Sequence, residues 1–166
     1  FSFSSTSSLA GERLNKDFYF FFTKHFIFTL LALVIMLIIS LINTEMLIKF
    51  TLPLFSLSLF FLILVPILGV EVKGAKRWLD LYFFRLQPIE ILKPFFILMT
   101  VKILTSEKFQ NSQFKYFISF IVLSSVIILL IDQPDLGQSI LLILVWIATV
   151  FVSGVSLLYM IVFFSI

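Results

Sequence analysis

The chain has 166 residues, 61% hydrophobic and only 13% charged, with 23 Phe, one His, no Cys and a formal net charge of +3. A soluble domain is about half apolar and one quarter charged, so a mean hydropathy of +1.18 excludes an ordinary water-soluble fold. The absence of Cys excludes a disulfide framework and thiolate metal sites, and one His leaves no HExxH-type metal spacing.

Long runs of Leu, Ile, Phe and Val with almost no charge read as transmembrane helices. They do not alternate apolar with polar residues, as the strands of a membrane barrel would. The expected class is all-α: a polytopic transmembrane helix bundle. About five complete spans are expected, with partial helices at both ends, in one membrane domain covering 1–166.

In chain order, Phe1–Ala10 is too polar to span and fits the exit of a helix that began upstream. Gly11–His25, with Glu12, Arg13, Lys16, Asp17 and Lys24, reads as an interfacial loop. Phe26–Ile42 is the first expected span. A crossing needs roughly 20 residues, so this one borrows a few from each end. Asn43–Lys49 is a turn. Phe50–Val70 is the second span, with Pro53 and Pro66 placed near its ends, where a missing amide does least harm. Residues 71–88 form a polar outer loop. Pro88–Leu104 is the third span, Thr105–Lys115 a polar connection and Tyr116–Ile131 the fourth span. Asp132–Gln138 is a tight polar turn and Ser139–Phe151 the fifth span. Ser153–Ser156 reads as another turn and Leu157–Ile166 as the start of a sixth span. The chain starts at Phe1 rather than Met and stops within an apolar run. It is therefore expected to be a piece of a larger protein whose C-terminal helices are absent.

Chemistry is expected where ionisable residues enter apolar segments, because such groups are costly at membrane depth. The sharpest signal is Gln87-Pro88-Ile89-Glu90 followed by Lys93-Pro94. Pro88 suits the first turn of a helix, and Glu90 there is favoured by the helix dipole. Lys93, three residues on, shares a face with Glu90. Pro94 cannot donate to the Glu90 carbonyl, so the helix is expected to bend beside the pair. The result is a helix mouth with a carboxylate, an ammonium and a free acceptor. The same spacing also fits an interfacial ion pair that reaches to water.

Lys73, Lys76, Arg77 and Arg85, with Trp78 among them, make the outer loop basic. Guanidinium and ammonium donors suit a pyrophosphate; they equally suit anionic lipid heads. The Asp132–Gln138 turn, DQPDLGQ, is a second polar cap. There Pro134 is expected to start a helix, with Asp135 on its dipole. It reads either as a wall of the same site or as a well-capped turn.

Three patterns in order carry a resemblance: GVEVKGAKRWLDL, then QPIEILK, then QPDLGQ, with ERLNKDFYFFFTKH upstream. Together they resemble the SEDS family, that of FtsW and RodA, and lie nearer FtsW. The resemblance runs through nearly the whole chain. It implies a peptidoglycan glycosyltransferase of cell division and cell-wall synthesis, which polymerises lipid II into glycan strands. It implies the bacterial inner (plasma) membrane, a site facing the periplasm, and a class B penicillin-binding protein and other division proteins as partners, with no nucleic acid. Glu90 and Lys93 match the family's cavity pair, in supporting catalytic roles. Lys76, Arg77, Trp78, Arg85, Gln87 and Asp135 are expected to bind substrate. A divalent cation is compatible with such a reaction, but no ligand set in the sequence defines one, so no metal ligands are assigned. Ile89 and Tyr82 depart from the family pattern, and the family's essential Asp loop lies beyond this chain. The basic side, with Arg13, Lys16, Lys24, Lys73, Lys76, Arg77, Arg85 and Lys93, would be cytoplasmic by charge bias alone; the resemblance puts it outside. Alternative readings are a transporter of lipid-linked precursor and a non-catalytic, truncated division protein.

Overall fold

A computed structural model describes residues 20–72, 74–81, 85–109 and 111–154. The expected partial helices 1–10 and 157–166, and most of the loop 11–25, lie outside them. The chain divides into two compact units, Phe1–Leu47 and Ile48–Ile166. In the first, α1 runs Phe20–Ser40. The expected interfacial loop therefore gives way to helix by Phe20, since the aromatic run 18–22 leads directly into the apolar segment with no Pro or Gly to stop it.

The next helix, α2, spans Thr44–Leu68. Glu45 sits in its first turn, on the favoured side of the dipole. It starts earlier than expected, so Pro53 lies within the helix rather than near its end. Gly69 closes it: its amide donates to the Val65 carbonyl at 2.7 Å. A Cβ at Gly69 would stand 2.2 Å from that same oxygen, so only glycine fits this exit.

The polar loop after α2 is folded. β1 (Val70–Val72), β2 (Ala75–Asp80) and β3 (Arg85–Leu86) form an antiparallel meander in the order β1-β2-β3. Gly74, at φ 80°, makes the tight turn between β1 and β2. These short strands were not expected from the sequence.

Three helices follow: α3 (Pro88–Leu104), α4 (Ser112–Asp132) and α5 (Leu136–Val152). The expected third span is reproduced at both ends. α4 starts four residues before the expected Tyr116, because the Asn111 side chain caps it, accepting from the Gln113 amide at 2.9 Å. α1, α2 and α4 are long and apolar enough to cross a membrane. The 17 residues of α3 and of α5 each reach about 26 Å, slightly short of a hydrocarbon core of about 30 Å.

In the second unit each helix buries one narrow seam. In α2 it is Thr51, Phe55, Ser58, Leu62 and Val65; in α4, Ser119, Leu123, Val126 and Leu130; in α5, Ser139, Leu142, Trp146 and Val150. Spacings of three and four residues keep each set on one face. Small hydroxyl residues sit inside, while Leu52, Leu57, Phe60, Ile121, Ile128, Ile140 and Leu144 are exposed. This suits lipid, where small residues let helices approach and large apolar ones face the tails. The buried hydroxyls bond locally: Thr100 Oγ1 to the Phe96 carbonyl at 2.9 Å and Ser58 Oγ to that of Leu54 at 2.9 Å. Trp146 Nε1 donates to Ser119 Oγ at 3.2 Å, tying α5 to α4 within the core.

Candidate functional site

The residues of interest gather where the sheet, the start of α3 and the α4–α5 turn meet. Pro88 takes the first position of α3, with Gln87 extended before it as N-cap. Gln87 does not cap its own helix; its Nε2 donates to Asp135 Oδ2 at 3.5 Å. One turn along, Lys93 Nζ stands 2.7 Å from Glu90 Oε2, an ion pair at the expected spacing. Lys93 is 22% exposed and Glu90 50%, so the pair sits at a mouth open to solvent on the carboxylate side. Pro94 lies inside α3 and withholds the helical donor from the Glu90 carbonyl.

The turn between α4 and α5 corrects one expectation. α5 begins at Leu136, with Pro134 in the turn and Asp135 as N-cap. The Asp135 amide donates back to the Leu130 carbonyl at 2.9 Å, which holds this stretch as the close of α4 rather than the first turn of α5. The Asp135 carboxylate makes no cap bond. It is buried and faces Arg77, whose Nε lies 3.8 Å away. The same guanidinium donates through Nε to the Gln133 carbonyl at 3.3 Å and through an Nη to that of Pro134. One arginine fork thus fastens β2 to the turn.

The strand separates the other expected cations. Side chains alternate along β2: Arg77 and buried Leu79 share one face, while exposed Lys76 and Asp80 lie on the other. Arg85 on β3 is registered against Asp80 and pairs with it at 3.6 Å. Lys76, Arg77 and Arg85 therefore do not converge into one clamp. Half-buried Trp78 is registered against Val70 on β1. Lys73 lies outside the described residues.

Two residues of the site went unmarked in the sequence. Gln133, 3% exposed, donates Nε2 to the Leu62 carbonyl in α2 at 3.2 Å. Gln138 donates Nε2 to Glu90 Oε1 at 3.0 Å, so α5 reaches the carboxylate that Lys93 holds. Both belong to the QPDLGQ pattern. The available signal was the presence of two amides in a short turn between apolar helices. Among the described residues no three His, Asp or Glu side chains converge as a metal site.

An apolar bundle with buried hydroxyls, capped by a polar sheet over an ion-paired helix mouth, defines a multi-pass helical membrane protein. The family model described as cell cycle protein, FtsW/RodA/SpoVE, matches residues 1–166, and the chain belongs to that family. It is 33% identical over 140 residues to a protein of Cyanophora paradoxa named putative peptidoglycan glycosyltransferase FtsW, across 83% of this chain and 35% of the relative. To the probable peptidoglycan glycosyltransferase FtsW of Wigglesworthia glossinidia brevipalpis it is 31% identical, across 93% of this chain and 41% of the relative. The chain thus spans well under half the length of these relatives. Among solved structures it resembles the rod shape determining protein RodA of Thermus thermophilus, with a TM-score of 0.69 and 28% identity across 78% of this chain and 43% of that one. It also resembles a chain in a structure described as the coordination of polymerization and crosslinking by a peptidoglycan synthase complex. There the TM-score is 0.71 and the identity 28%, across 80% of this chain and 39% of that one.

Proposed function

We propose that this chain forms part of a peptidoglycan glycosyltransferase that polymerises lipid II during cell division, its site facing the periplasm from the inner membrane. The observation that carries the reading is the Glu90–Lys93 ion pair at the mouth of α3, within the QPIEILK pattern on which the resemblance rests, and bridged from α5 by Gln138. Proteins of matching sequence bear the name peptidoglycan glycosyltransferase.

In this reaction the diphosphate of the growing glycan leaves as a hydroxyl of the incoming lipid II attacks the anomeric carbon. Cations placed where negative charge develops lower that barrier, and a carboxylate takes the hydroxyl proton. Lys93, held by Glu90, supplies a fixed ammonium at the mouth of α3. Exposed Lys76 and Arg85 attract the diphosphate, with Trp78 beside them on the sheet. Arg77, Gln87 and Asp135 hold the sheet against the α4–α5 turn. A class B penicillin-binding protein is the proposed partner, in keeping with the peptidoglycan synthase complex among the structural relatives.

The test is polymerisation of fluorescent lipid II by the chain in detergent, alone and co-expressed with the C-terminal half of a relative. Glycan strands in the second case are expected. Transbilayer movement of labelled lipid II without polymer would overturn the reading in favour of transport.

A further inference from the structure

Glu90 is held from two helices at once. Lys93, on its own helix, takes Oε2 at 2.7 Å, and Gln138, in the first turn of α5, donates Nε2 to Oε1 at 3.0 Å. The other end of that amide is anomalous. Gln138 Oε1 is buried and has no hydrogen-bond partner. A buried acceptor without a donor destabilises the fold, and each one in a native structure needs a cause. Here the cause lies in the carboxylate. Turning the amide over would set Oε1 against Glu90 Oε1, oxygen on oxygen, and lose a charge-assisted bond stronger than a neutral one. The amide is therefore oriented by Glu90, at the expense of its own carbonyl oxygen.

We propose that Gln138 is the positioning residue for Glu90: it fixes the carboxylate from the opposite helix, so that Lys93 presents its ammonium in one place. This rests on the glycosyltransferase reading for the purpose of the contact, though not for its existence. On the sheet Arg85 pairs with Asp80, and Glu71 and Lys76 are exposed. Arg77 and Asp135 pair with each other, and Asp132 is exposed at the end of α4. The carboxylate is thus fixed by one cation and one amide, and the amide joins α3 to α5 alongside the longer Gln87–Asp135 bond.

The test is a double-mutant cycle on the 166-residue chain in detergent, read as Tm. Gln138→Met keeps the side-chain length and removes the donor. It is expected to lower Tm by about 3 °C in the native background and by less than about 1 °C beside Glu90→Met, which removes the acceptor. An equal loss in both backgrounds would reduce Gln138 to packing and overturn the proposal. Gln138→Glu sets two carboxylates together and is expected to cost more. The exchange Glu90→Gln with Gln138→Glu is expected to regain at least half of that loss, because a single carboxylate faces an amide again. No recovery on exchange would also overturn it. In the lipid II assay with the co-expressed C-terminal half, Gln138→Met is expected to lower kcat by about tenfold with KM within about twofold. Unchanged kcat would remove the positioning role. A native chain that makes no polymer would sink the glycosyltransferase reading, while the Tm cycle would still decide the contact.

Discussion

Pro66 and Gln133 complete one hydrogen bond between them. Pro66 has no amide to give to the carbonyl four residues back, that of Leu62, and Gln133 Nε2 takes the vacant place at 3.2 Å from the end of α4. Leu62 and Gln133 are both buried, so water does not substitute. Gln133→Leu is expected to destabilise the chain by about 1–3 kcal/mol, the cost of an orphaned buried carbonyl. Pro66→Ala restores the helical donor and is expected to suppress most of that loss. Thermal unfolding of the two single variants and the double variant measures it; full additivity would show that Gln133 does not act on the Leu62 carbonyl.

Arg77 makes three contacts with the α4–α5 turn, and its removal leaves the Asp135 carboxylate, 10% exposed, with only the long Gln87 bond. Arg77→Ala is expected to cost about 2–3 kcal/mol, towards the lower side of broken buried pairs because the guanidinium is partly solvated. Arg77→Lys recovers less than half, since an ammonium lacks the fork that reaches a carboxylate and two carbonyls together. Tm shifts and protease sensitivity of the sheet are the readouts.

Gly69→Ala is expected to destabilise by about 1–3 kcal/mol as overpacking against backbone that cannot move aside. The added methyl would meet the Val65 carbonyl at 2.2 Å. Gly74→Ala meets no atom but carries a left-handed φ. It is expected to cost about 1 kcal/mol. A larger loss at Gly74 than at Gly69, by denaturation in mixed detergent, would contradict this order.

Lys93→Ala removes the cation fixed by Glu90 and is expected to lower lipid II polymerisation by about 100-fold in the co-expressed assembly. Substrate capture by the exposed cations would be little changed. Single-turnover rates measured beside lipid II binding separate the two. Full activity of a folded Lys93→Ala chain would remove this pair from the mechanism.

The helices were legible because lipid demands continuous apolar runs, and because Pro88 and the QPDLGQ turn punctuate them. Their buried faces were not. Exposed and buried positions are both apolar, and only the hydroxyls of Thr51, Ser58, Thr100, Ser119 and Ser139 hint at the inner seam. The Glu90–Lys93 pair was readable because both residues lie on one helix turn. The sheet escaped notice since its strands have three, six and two residues, too short for a period to register. Gln133 and Gln138 were hidden for another reason. Their partners lie 71 and 48 residues away, a relation that no local pattern encodes. The basic loop looked like one clamp in a linear text, yet a two-residue repeat turns neighbours to opposite sides.

Side-chain ties join the elements of the second unit within the core, where Trp146 meets Ser119, and at its ends. Those from Gln133 to Leu62, Arg77 to Asp135, Gln87 to Asp135 and Gln138 to Glu90 lie at the sheet end. At the other end Lys102 reaches the Ile48 carbonyl, and a cavity of about 390 Å³ lies among Val101, Leu104, Ala148 and Val152. The Glu90–Lys93 pair thus stands beside the cross-element ties of the sheet end, where strand, turn and helix starts are joined through the same few side chains.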